Sequence, residues 1–110
     1  MSGMLSSTIA RGNILYDGML QATLTPVSVA GSTAAEQSFT IPGLQLNDFL
    51  DVNCNAAQTA GISIGNARVS AVNTMTLEFA NSTAGALTPA TAVYNINVIR
   101  AEGPMPSNAA

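Results

Sequence analysis

The chain has 110 residues and a net charge of −3, and only 8% of its residues are charged, against about 25% in ordinary globular domains. There is no His and no Lys, Cys54 is the only cysteine, and the cations are Arg11, Arg68 and Arg100. Three scattered arginines cannot neutralise a row of phosphates, which excludes nucleic-acid binding, and the missing His excludes ordinary zinc sites and Ser-His catalysis.

Residues 1 to 19 run into "NILYDGML" at 13–20, an apolar patch beside Ser-rich and Gly-rich sequence. They read as an N-terminal arm that docks on a partner, or as an extra strand. Ile14, Leu15, Tyr16 and Leu20 are its candidate subunit or capsid contacts. The opening "MSGMLSSTIARG" lacks the basic start and apolar block of a secretory leader. No run of about 18 apolar residues is present, so no membrane-spanning helix is expected.

Period-2 alternation begins in "LQATLTPVSVA", where Leu20, Ala22 and Leu24 share a face. Pro26 then removes a ladder donor, which marks an edge strand or a bulge. "EQSFTI" places Gln37, Phe39 and Ile41 on one face and ends at Pro42-Gly43. In "NDFLDVNC" Leu50, Val52 and Cys54 point inward, with Cys54 a small hydrophobe rather than a reactive thiol. Asp48 and Asp51 are the closest carboxylate pair. Three positions apart on a strand they face opposite sides, so they read as solvated flanks rather than a metal site.

"ISIGNARVSAV" carries Ile62 and Ile64, breaks at Gly65-Asn66, and resumes with Ala67 and Val69, the pattern of a bulge inside one long strand. "GISIG" at 61 to 65 matches the nucleophile-elbow pattern around Ser63. With no His to take the proton and β sequence following, Ser63 is an outward strand residue. "NTMTLEF" alternates Met75, Leu77 and Phe79 with polar residues. "NST" at 81 to 83 matches a glycosylation sequon, but reads as a plain turn. "AVYNINVIRA" places Tyr94, Ile96 and Val98 on one side, and residues 102 to 110 read as a flexible tail.

Six strands at intervals of about 10 to 15 residues predict an all-β domain over 20–101, an antiparallel β-sandwich or small barrel of jelly-roll-like or Ig-like type. No motif for a catalytic, metal or cofactor site is present. Strands rich in Thr, Ser, Asn and Ala, without Lys at their edges, suit edges covered by another subunit or by the terminal arm.

Residues 60–100 resemble the C-terminal half of small β-rich virion proteins of tailed bacteriophages. The resemblance is carried by Ala60-Gly61-Ile62, "ARVSA" at 67–71, "NTMTLEFAN" at 73–81, "TAGALTP" at 83–89 and "YNINVIR" at 94–100, and more loosely by "IPGLQLNDFLDV" at 41–52. It implies a non-enzymatic capsid decoration or cement protein on the virion surface, assembled in the host cytoplasm. It further implies a homo-oligomer, often a trimer, that bridges adjacent copies of the major capsid protein. The other readings are a head-fibre base, a tail protein, or a receptor- or glycan-binding β-module. The first 40 residues fall outside the resemblance.

Overall fold

A computed structural model of the protein describes residues 13–105 and 107. Six strands form: β1 (Ile14–Leu24), β2 (Thr33–Thr40), β3 (Phe49–Cys54), β4 (Ile62–Ala71), β5 (Thr74–Asn81) and β6 (Ala92–Ala101). They make one antiparallel sheet in the order β1-β6-β3-β4-β5-β2. The all-β antiparallel expectation therefore holds. The expected sandwich or barrel does not take the form of a closed barrel, because β1 and β2 are open edges of a single sheet.

That sheet curls over on itself. Phe79 of β5 and Tyr94 of β6 meet edge to face with ring centroids 6.4 Å apart, although their strands are not neighbours in the sheet order. Between the two halves, β3 and β4 share a single registered pair, Phe49 with Arg68. The sheet bends at this sparse seam, so alternate side chains of all six strands point into one core.

Met75, Leu77, Phe79, Tyr94, Ile96 and Val98 fill the centre of that core, joined by Leu24, Val29, Ile41, Leu44, Leu50 and Ile62. All but Val29 and Leu44, which lie in connections between strands, are inward residues that the alternation marks. A chain this short buries roughly 65% of its unfolded surface, so each large side chain matters: replacing a buried Phe by Ala costs about 3–5 kcal/mol. Cys54 packs half-buried against the core.

Local chemistry sets the breaks. Ile64 pairs with Phe79 and Ala67 with Leu77, so Gly65 and Asn66 face the single residue Glu78, the bulge expected from Gly-Asn. The Asn66 N–H donates to the Glu78 carboxylate at 3.3 Å. β4 and β5 are joined through Val72 and Asn73, with Asn73 at φ 62°, a left-handed conformation that Asn tolerates. β1 ends at Leu24, before Pro26, and Val29 then makes an isolated bridge to Leu87.

Residues 14 to 19, read from sequence as part of an arm or as an extra strand, form the first half of β1 and pair with β6. The register shifts between Ile14 and Tyr16, which makes Leu15 an extra residue and breaks the alternation that would have revealed a strand. The rest of the expected arm, residues 1–12, lies outside the described residues. At the other end the Glu102 N–H donates to the Asn13 carbonyl at 2.8 Å. Asn13 Nδ2 approaches the carbonyls of Gly103 and Pro104, each at 3.4 Å, so the expected tail leaves β6 against the start of β1.

Candidate functional site

Ser63 lies exposed on β4 opposite Ala80. Gly61, at φ 92°, precedes the strand rather than a helix. The elbow motif is thus a turn and the outward side of a strand. Among the described residues no three His, Cys, Asp or Glu side chains come together.

Asn81, the sequon asparagine, is buried. Its Nδ2 donates to the carbonyls of Val29 at 3.1 Å and Gly85 at 2.8 Å. Its Oδ1 accepts from the Thr83 N–H at 2.9 Å and the Thr83 hydroxyl at 2.7 Å. The amide is committed to folding the 82–87 turn onto the β1–β2 connection.

The most elaborated polar feature is at the end of the sheet where β1 begins. Asp48, read from sequence as a solvated flank, is buried, with its side chain 1% exposed. Burying a carboxylate requires a partner, and Arg100 of β6 provides it through Nε to Oδ1 and Nη2 to Oδ2, both at 2.8 Å. The Gln45 N–H adds a third bond to Oδ2 at 2.9 Å. These donors, the guanidinium first, hold the Asp48 carboxyl below the usual carboxylate range against the opposing effect of burial. Arg100 also donates to the Gly43 carbonyl at 3.0 Å, and its guanidinium carbon lies 5.9 Å from the Tyr16 ring centroid. Asp51 remains exposed on the outer face.

This ion pair ties the 41–48 connection to β6 and forms the floor of a groove of about 520 Å3 whose rim includes Leu15, Leu46, Gly103 and Pro104. A second recess of about 210 Å3 lies beside it, lined by Tyr16, Leu20, Pro42, Leu44 and Val98 with Arg100 between the two. Around this end Leu15, Tyr16, Leu46 and Met105 are all exposed large apolar side chains. Of the residues singled out from sequence, Tyr16 and Leu20 share one recess and Leu15 borders the groove. Ile14 is half-buried opposite Ala101 and lines neither.

Sequence reasoning missed Asp48, Arg100, Leu46 and Met105 as members of this end. The one available signal was Asp48 beside the Pro42-Gly43 turn, and nothing in it pointed to an arginine 52 positions away.

The outer face carries no comparable charge. Gln21 Nε2 donates to Asn95 Oδ1 at 2.8 Å, and Asn95 Nδ2 donates to Asn53 Oδ1 at 2.9 Å and Asn55 Oδ1 at 3.3 Å, an amide row across β1, β6 and β3. On the other half Ser38, Thr76 and Ser70 make a hydroxyl row, and Arg68 pairs with Glu36 in two 3.0 Å bonds. The amide and hydroxyl rows are satisfied, uncharged polar groups that can be desolvated at modest cost. In comparisons with known proteins, no family model, no curated protein and no solved structure matches this chain.

Proposed function

We propose that this protein is a non-enzymatic structural component of a tailed-bacteriophage virion. In this reading it is a decoration subunit that binds the outside of the head as a homo-oligomer and bridges neighbouring copies of the major capsid protein. The observation that carries the reading is the set of exposed apolar side chains at one end of the sheet, Leu15 and Leu46 on the groove, Tyr16 on the recess beside it and Met105 on a third hollow next to Gly103 and Pro104. It stands on a small curled sheet whose outer face carries amide and hydroxyl rows. The phage-protein resemblance over residues 60–100 supplies the identity of the partner.

The mechanism is linkage. A subunit that binds the assembled lattice and not free capsid protein stabilises the lattice by mass action. An oligomer that engages several lattice sites multiplies weak single contacts through effective concentration. Apolar side chains at one end provide the contact, and rigid strands behind them hold its shape.

The test is co-sedimentation of the purified full chain with phage heads lacking it, followed by thermal disruption of the heads. Bound protein is expected to raise the disruption temperature. A Leu15→Asp/Leu46→Asp variant is expected to bind at least about 10-fold more weakly, because two exposed apolar contacts acquire a desolvation penalty. A chain that leaves heads untouched while binding host cells or glycans refutes the decoration role and favours a receptor-binding module.

A further inference from the structure

The two open edges of the sheet differ. Alongside β2, the β1–β2 connection is held by Gln37, whose Oε1 accepts the Val27 N–H and whose Nε2 donates to the Val27 carbonyl, both at 2.8 Å. β1 pairs with β6 on one side, and no described residue pairs with it on the other. It is 11 residues long and carries no Lys, no Pro and no inward charge, so of the devices that blunt edges in soluble proteins it has only a bulge. Its register break is confined to the first two residues, so Tyr16–Leu24 is a regular free edge.

On the sheet surface next to that edge a shallow hollow of about 410 Å3 is lined by Met19, Leu20 and Gln21 of β1 and by Asn95, the β6 partner of Gln21. Met19 and Gln21 point outward and Leu20 toward the core, so the middle of the free strand is left open around residue 20. Leu20 packs against the core yet stays half-buried, and Met19 is 68% exposed.

We infer that the free edge of β1 binds β1 of a second copy of this chain, antiparallel about a twofold axis at Leu20. This contact extends the sheet and its core across the axis. Paired residues in an antiparallel ladder share a face, so Leu20 meets its counterpart on the core side, Met19 lies opposite Gln21 of the second copy, and Tyr16 opposite Leu24. Charge disfavours registers centred near Asp17 and is compatible with this one. Asp17 is the only charge in β1; with the axis at Leu20 it faces Thr23 of the second copy. The two Asp17 carboxylates are then six residue steps apart, about 20 Å at about 3.4 Å per residue, well beyond the screening length of about 8 Å. An axis at Asp17 or Gly18 would bring them together or within about 7 Å.

The inference is independent of the decoration reading. Light scattering on the full chain is expected to give a dimer, or an even-numbered assembly built on it. Met19→Lys/Gln21→Lys places like charges opposite each other twice across the axis and is expected to weaken association at least about 10-fold. Met19→Lys/Gln21→Glu changes the same exposed positions but creates two complementary cross-strand pairs, and is expected to associate as tightly as the wild type or more so. Circular dichroism of both variants confirms the fold.

A monomeric or trimeric full chain overturns the inference. So does a Lys/Lys variant that associates as tightly as the wild type, a Lys/Glu variant as weak as the Lys/Lys one, or a dimer that appears only after deletion of residues 1–12. A monomer that still binds heads removes β1 pairing and the oligomeric form of the subunit but leaves head binding, whereas a dimer that ignores heads removes the decoration role alone.

Discussion

At Gly31 the chain passes so close to the 83–85 turn that a Cβ would overlap the backbone carbonyl of Ala84. The backbone there is fixed by the Ser32 N–H, which donates to the Thr83 carbonyl at 2.8 Å, so the overlap cannot be relieved by rotating a side chain. Gly31→Ala is expected to cost about 1–3 kcal/mol, read as a lowered thermal midpoint. A Cβ at Gly85 meets nothing within 4 Å, and Gly85→Ala is expected to leave the midpoint nearly unchanged. A similar drop for both variants would mean that glycine flexibility, rather than close approach, matters at these turns. Neither glycine is distinguishable in the sequence, because each lies among small residues and the contact at Gly31 is made by chain more than fifty positions away. The same is true of Asn81: the sequon is visible, but the carbonyls that occupy its amide are not.

The 41–48 connection, an element without regular structure, is secured through Asp48 and Arg100. Asp48 has a lowered folded-state pKa, so the pair contributes stability that is fully present above the unfolded value of about 3.9. That contribution is lost as pH falls through the folded value. Asp48→Asn is expected to cost about 2–3 kcal/mol at neutral pH, since it leaves Arg100 with a weaker acceptor in a partly buried position. It is also expected to flatten the fall in thermal midpoint below about pH 4. Glu36→Gln, which disrupts the exposed pair with Arg68, serves as the control and is expected to shift the midpoint by less than about 2 °C.

The strands themselves were legible, since β-branched and apolar residues alternate with Thr, Ser and Asn wherever a strand has one buried face. Legibility failed where that condition fails. Leu15 interrupts the alternation of β1, and Thr76, an outward position by pattern, is buried between Ser38 and Ser70. The groove was readable only through Leu15, and the recess beside it through Tyr16 and Leu20. The groove's ionic floor joins residues whose proximity arises from sheet order, and periodicity carries no information about which strand lies beside which.

Across the whole molecule, one core joins two half-sheets linked by a single registered backbone pair at the seam. The halves therefore depend on Phe79 and Tyr94 and their neighbours, and they unfold together. Thermal melts followed by far-ultraviolet circular dichroism and by tyrosine fluorescence are expected to coincide, and Phe79→Ala is expected to shift both by the same amount. Separate transitions would show that each half is stable alone. Tyr94 is a suitable probe because it is buried and its hydroxyl donates to the Ala90 carbonyl at 2.8 Å while accepting from Gln58 at 3.0 Å.

The contact of Asn13 with Gly103 and Pro104 has a topological consequence. The first and last strands are neighbours in the sheet and their outer ends meet, so a short peptide from residue 103 to residue 13 would turn β1 and β6 into an ordinary hairpin. The chain could then be opened at Val72-Asn73, giving a circular permutant with the same strand order and core in which β5 comes first and β4 last.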